Sequence, residues 1–254
     1  MCPPSLFLAS AVIHKDACFK HENSDIDAPL DVLSFTGPQK LRKLSFLRVK
    51  RLGSGDVRLT PTDDSALETL IIDSCPTKAL TFVSPEKYVR LHTLEINDIE
   101  ATTMPQSLFS LPSLTSLTMK NCKFILVPGA VAQLTTLQSL TLDRSTVSVV
   151  TTDLCKLQSL TALSFSGAKL MSLPKCIGDL TNLVSLNIGN NWIFELPESF
   201  GMLTNLQELF VFLSVFCAFV LLHIVSCSFV TALGSSMQSR LSLQALATSR
   251  LCAS

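Results

Sequence analysis

Bond-making chemistry would have to come from a small set of side chains in this 254-residue sequence. Its four histidines, His14, His21, His92 and His223, are scattered without metal-ligand spacing, and no C-x-x-C pair occurs among its nine cysteines. Gly53-Ser54-Gly55-Asp56 begins like a phosphate-cradling loop but lacks the further glycine and the Lys-Ser/Thr pair, so it reads as a plain turn. Asp63-Asp64 reads as a solvated loop or a helix cap rather than an acid–base pair. No cofactor, metal site or catalytic constellation is expected, and the chain does not read as an enzyme. What it does space regularly is a set of polar residues. Glu95, Thr118, Thr141, Ser164 and Asn187 follow one another at 23-residue intervals, and so do Asn97, Lys120 and Asp143, with Arg144 beside the last. Carboxylates, amides, hydroxyls and cations of mixed sign suit a protein or peptide surface better than a phosphate backbone. These residues are the candidate partner-binding set, and a merely solvated face is the plain alternative for each of them.

The elements that must hold them are written in the apolar residues between. Leu183-Leu186-Ile188 is followed by Asn191, Ile193, Leu196-Pro197, Phe200 and Leu203. The first half alternates like a short strand with one buried face. Asn191 falls where the chain turns away from the strand, with an amide able to bond backbone groups left inside the coil. The Leu-Pro step starts a return leg, where Pro costs no ladder bond. The same order recurs from Leu160, Leu137, Leu114 and Leu91 at one 23-residue period without insertion. Units at Leu41 and Leu67 are longer and have lost the Leu-Pro step. One unit cannot bury its own apolar edge, so the units must stack. The spacing predicts a strand beginning near each of Leu67, Leu91, Leu114, Leu137, Leu160, Leu183 and Leu206, and a less regular one near Leu41.

Leu173-Pro174-Lys175-Cys176-Ile177-Gly178-Asp179-Leu180 and Leu196-Pro197-Glu198-Ser199-Phe200-Gly201-Met202-Leu203 resemble the 23-residue, Ras-suppressor-type class of leucine-rich repeats, related to those of Scribble-like scaffolds. The resemblance covers Leu91 to Leu209 well and Leu41 to Arg90 poorly. It implies an α/β leucine-rich-repeat solenoid, a horseshoe with a parallel concave sheet, and a binding platform for a protein or peptide ligand. The Asn column departs from the class: only Asn191 keeps Asn, where the other units have Val49, Cys75, Ile99, Cys122, Ser145 and Ala168, so the internal hydrogen-bonded ladder is expected to be incomplete. Trp192, at the strand-to-turn corner, is expected to pack over the neighbouring repeat, with an interface anchor as the alternative.

The flanks read differently. Formal net charge is zero and apolar content is 47%, so the core is ample and no basic surplus points to nucleic acid. Residues 1–40 form a poorly patterned flanking segment. Its Leu6–Ile13 run lacks a basic n-region, and Lys15 to Asp27 reads as a polar loop. Residues 41–208 are the repeat domain, seven units with an eighth begun at Leu206. The odd cysteine count and absent N-x-[ST] sequons suggest buried reduced thiols and a reducing compartment. After Glu208 the only charged residues are Arg240 and Arg250. Residues 209–233 are long and apolar enough to be a transmembrane helix, which needs about 20 residues, and residues 234–254 form a tail. The sequence therefore suggests a membrane-anchored scaffold with cytoplasmic repeats. Its alternatives are a fragment of a receptor-like membrane protein with the repeats outside, or a truncated gene model.

Overall fold

The computed structural model of the protein describes residues 57–59, 67–73 and 78–211, together with the backbone of the strands Cys18–Lys20 and Lys43–Leu47. Each regular coil opens on a short strand whose side chains alternate between half-exposed and buried, as in Thr93–Asn97 and Ser116–Lys120. Successive strands pair in parallel at a fixed register. Leu70, Leu94, Leu117, Leu140, Leu163, Leu186 and Leu209 are direct neighbours across the sheet and form one buried column, as the 23-residue spacing predicts. Leu91, Leu114, Leu137, Leu160, Leu183 and Leu206 form a second buried column.

The sheet has nine parallel strands among the described residues, running in chain order from Cys18–Lys20 to Glu208–Phe210. Two of these correct the sequence reading. The backbone of Cys18–Lys20 pairs with Ser45–Leu47, so part of the expected polar loop is a strand beside the first repeat. Leu209 and Phe210 pair with Leu186 and Asn187, so the repeat domain runs past Glu208. The remainder of the apolar 209–233 stretch, from residue 212, and the 234–254 tail lie outside the described residues. So do Gly53-Ser54-Gly55-Asp56, Asp63-Asp64, Cys75, His14, His21 and His223. Among the described residues no helix is long and apolar enough to cross a membrane.

The return legs are 3-10 turns, such as Gln106–Ser110, Gly129–Gln133, Thr152–Lys156 and Glu198–Met202, and no α-helix occurs among the described residues. The "α" of the expected α/β class is therefore corrected. The buried residues explain it. Leu108, Leu111 and Leu114 are spaced by three, as are Ile177, Leu180 and Leu183, and all are buried. Consecutive i→i+3 bonds carry this spacing of three, the Leu180 amide donating to the Ile177 carbonyl and the Leu183 amide to the Leu180 carbonyl, which is the 3-10 rather than the α pattern. The leading proline accepts the first bond of the leg. The amides of Leu108, Val131, Ile177 and Phe200 donate to the carbonyls of Pro105, Pro128, Pro174 and Pro197 at 2.9–3.1 Å.

Polar ladders link the coils. Asn191, 2% exposed, accepts from the Leu170 amide at 3.1 Å and donates to the carbonyls of Phe165, Ile188 and Gly189 at 2.8, 2.9 and 3.2 Å. At the equivalent places Cys122 bonds the carbonyls of Ile96 and Lys120 through its thiol, and Ser145 bonds only that of Leu142. A second ladder offsets this thinning. Thr136, Ser159, Asn182 and Asn205 each donate to a carbonyl of the coil before, those of Leu114, Thr135, Gln158 and Thr181.

The cysteines divide. Cys122 is free and buried, and burial pushes its thiol up to about 12, so it stays a protonated packing group. Cys155 and Cys176 form a disulfide with Cα atoms 5.9 Å apart, against the expectation of reduced thiols for this pair. Stacking makes the bond: with coils 23 residues apart, a separation of 21 places the two cysteines side by side on adjacent return legs.

Candidate functional site

The solvent side of the sheet carries the candidate residues because strand side chains alternate faces. Glu95, Thr118, Thr141, Ser164 and Asn187 are direct cross-strand partners and form one continuous half-exposed row, with Ile71 before it and Phe210 after it. A parallel row runs through Thr93, Ser116, Ser139, Ala162, Ser185 and Glu208. Short hydroxyl side chains therefore make up most of the floor, and a ligand can come close to the sheet.

The third row is more tightly engaged. Asn97 pairs across the sheet with Lys120. Its amide donates to Glu95 Oε1 at 2.9 Å and its Oδ1 accepts from the Lys120 backbone amide at 3.3 Å, which aims the Glu95 carboxylate. Asp143 Oδ1 accepts from the Ser164 hydroxyl and from the Ser166 backbone amide, so this carboxylate stitches two coils together. Asn187 Oδ1 accepts from the Gly189 amide at 3.1 Å. Glu95 and Lys120 are half-exposed on the solvent side of the sheet, whereas Asp143 also links two coils.

Arg144 does not sit in these rows. It lies one residue beyond Asp143 with φ of 51°, in a column of left-handed corners formed by Asp98, Asn121, Arg144, Gly167 and Asn190. Each corner turns the chain out of the sheet. Asp, Asn and Gly adopt this conformation readily and Arg does not. The 23-residue recurrence of such residue types was a readable signal for the corners. Arg144→Asn should raise stability by up to about 1 kcal/mol by relieving the left-handed strain. A thermal melt of the two proteins checks this, and an unchanged or lower midpoint would mean the corner is not strained.

No group of three His, Cys, Asp or Glu able to hold a metal occurs among the described residues. His92 is exposed just before the interior strand Thr93–Asn97, and its carbonyl accepts from the amides of Thr115 and Ser116. Trp192, expected to pack over the neighbouring repeat, is 51% exposed, and its amide bonds the Leu170 carbonyl. Only the backbone is drawn into the ladder.

Strand, left-handed corner and 3-10 return leg, repeated in register around one apolar core, define a solenoid with an open polar sheet. The comparisons agree with that class. The Leucine Rich Repeat family model matches residues 182–203. A solved leucine-rich-repeat protein of Leptospira interrogans is similar at 25% identity with a TM-score of 0.56, over 68% of this chain and 43% of that one. This chain thus spans less than half of that protein. None of the curated proteins compared with the chain matches it. The chain is a leucine-rich-repeat protein.

Proposed function

We propose that the protein is a non-catalytic interaction scaffold that binds a protein or peptide partner across the concave sheet, centred on Glu95, Thr118, Lys120, Thr141, Ser164 and Asn187. The unbroken register of these polar side chains over five strands carries the reading. A rigid sheet fixes their spacing, roughly 4.8 Å from strand to strand, and an extended or helical segment can lie along it. Anchoring through the part of the apolar stretch that follows the last strand, residues 212–233, belongs to this proposal, as does a kinship of the repeats with the Ras-suppressor and Scribble-like class. The Cys155–Cys176 disulfide favours a second placement, with the repeats on the oxidising side of a membrane as in receptor-like proteins.

The test uses the full chain as bait beside two variants. One is Glu95→Lys with Lys120→Glu on the concave face. The other is Lys175→Glu with Glu198→Lys on the return legs. Partners quantified by mass spectrometry should be lost from the concave variant and retained by the other, with a loss that deepens at low salt. Equal recovery on the concave variant, or loss on the return-leg variant alone, would place binding elsewhere.

A further inference from the structure

We infer that one flank of the solenoid, between the sheet and the return legs, is a contact surface for an anionic lipid bilayer. Ile125, Leu126, Val149, Met171, Trp192 and Phe194 stand there, each between 44% and 68% exposed. They are neighbours on successive coils. Val149 pairs with Leu126 in a short parallel ladder, and the amides of Ser148 and Val149 donate to the Ile125 carbonyl. The Lys169 amide bonds Val147, and the Trp192 amide bonds Leu170. Folding does not need these side chains, because the same segments already bury Phe124, Val127, Val147, Leu170, Leu173 and Ile193. An exposed apolar strip of this kind marks an interaction surface.

The charges decide the occupant. Segments 121–127, 144–150 and 167–173 contain Lys123, Arg144 and Lys169 and no Asp or Glu. Acids stand at the ends of the strip: Asp98 and Glu100 on the coil before it, Glu100 being 3.9 Å from the Lys123 ammonium with both groups exposed, and Glu195 beside Phe194 on its last coil. Trp, Phe and Met bordered by cations form the composition of an interfacial membrane contact. A protein partner fits less well, since a standard interface takes about 800 Å² per side, more than six half-exposed side chains supply. The contact is separate from the concave face and does not depend on residues 209–233 crossing a bilayer.

Trp192 is the only tryptophan of the chain, so it reports on the strip directly. The full-length protein is mixed with vesicles of phosphatidylcholine containing phosphatidylserine, and with phosphatidylcholine alone, and brominated acyl chains serve as quencher. Trp192 emission should move to shorter wavelength and be quenched in the anionic vesicles. Lys123→Gln and Lys169→Gln should each weaken this about fivefold. Met171→Ser with Phe194→Ser should abolish the quenching while the circular dichroism spectrum stays unchanged. Vesicle-bound protein with unshifted, unquenched Trp192 would show binding through residues outside the strip and overturn the inference. A shift that appears without lipid and grows with protein concentration would assign the strip to a second copy instead. Equal partition into phosphatidylcholine alone would overturn the anionic assignment.

Discussion

Leu163→Asp should unfold the repeat domain at ambient temperature, a loss of more than about 4 kcal/mol. Leu163 is 2% exposed and lies between Leu140 and Leu186 in the buried column. A carboxylate there has no cation to meet and no water to solvate it, and it also opens a cavity where isobutyl groups interdigitate. Because each coil leans on its neighbours, one broken rung uncouples the coils on either side of it. Thr118→Asp is the control. It sits on the open face across from Glu95, and a second carboxylate there costs at most about 1 kcal/mol. Urea titration followed by circular dichroism separates the two, and equal midpoints for both variants would invert the assignment of faces.

Asn191→Ala should cost about 3 kcal/mol. The side chain serves four backbone groups, the Leu170 amide and the carbonyls of Phe165, Ile188 and Gly189. Alanine leaves them facing one another inside the coil, and each unsatisfied buried group costs about 1–3 kcal/mol before relaxation. Ser145→Ala in the same column removes a single bond to Leu142 and should cost only about 1 kcal/mol. Hydrogen exchange at Leu170 sharpens the comparison, since its amide loses protection only in the Asn191 variant. If the two substitutions shift the unfolding midpoint alike, the column contributes packing rather than hydrogen bonding.

The repeat was legible because its physics is local and periodic. The leucine columns, the alternation of faces and the row from Glu95 to Asn187 all follow from a strand period of two repeated every 23 residues, with one face able to escape water only by stacking. The handling of Asn191 was legible for the same reason. The form of the return legs was not legible: the α of the α/β class came only with the resemblance, and the structure makes the legs 3-10 turns.

What only the tertiary structure decided are the contacts between coils, made by residues about one period apart in sequence. The sequence names Cys155 and Cys176, but stacking makes them partners. It names Asp143 as a surface charge, but the next coil supplies the serine hydroxyl and amide that engage it. It places Arg144 beside the sheet, but the backbone corner at φ 51° turns it away. It shows Ile125, Leu126, Val149, Met171, Trp192 and Phe194 only as apolar residues outside the main columns, and the coil geometry brings them onto one flank in water. A periodic pattern determines which side of a strand is wet. Which side chains then meet depends on the rise and register from one coil to the next, a property of the packed array that no single repeat contains.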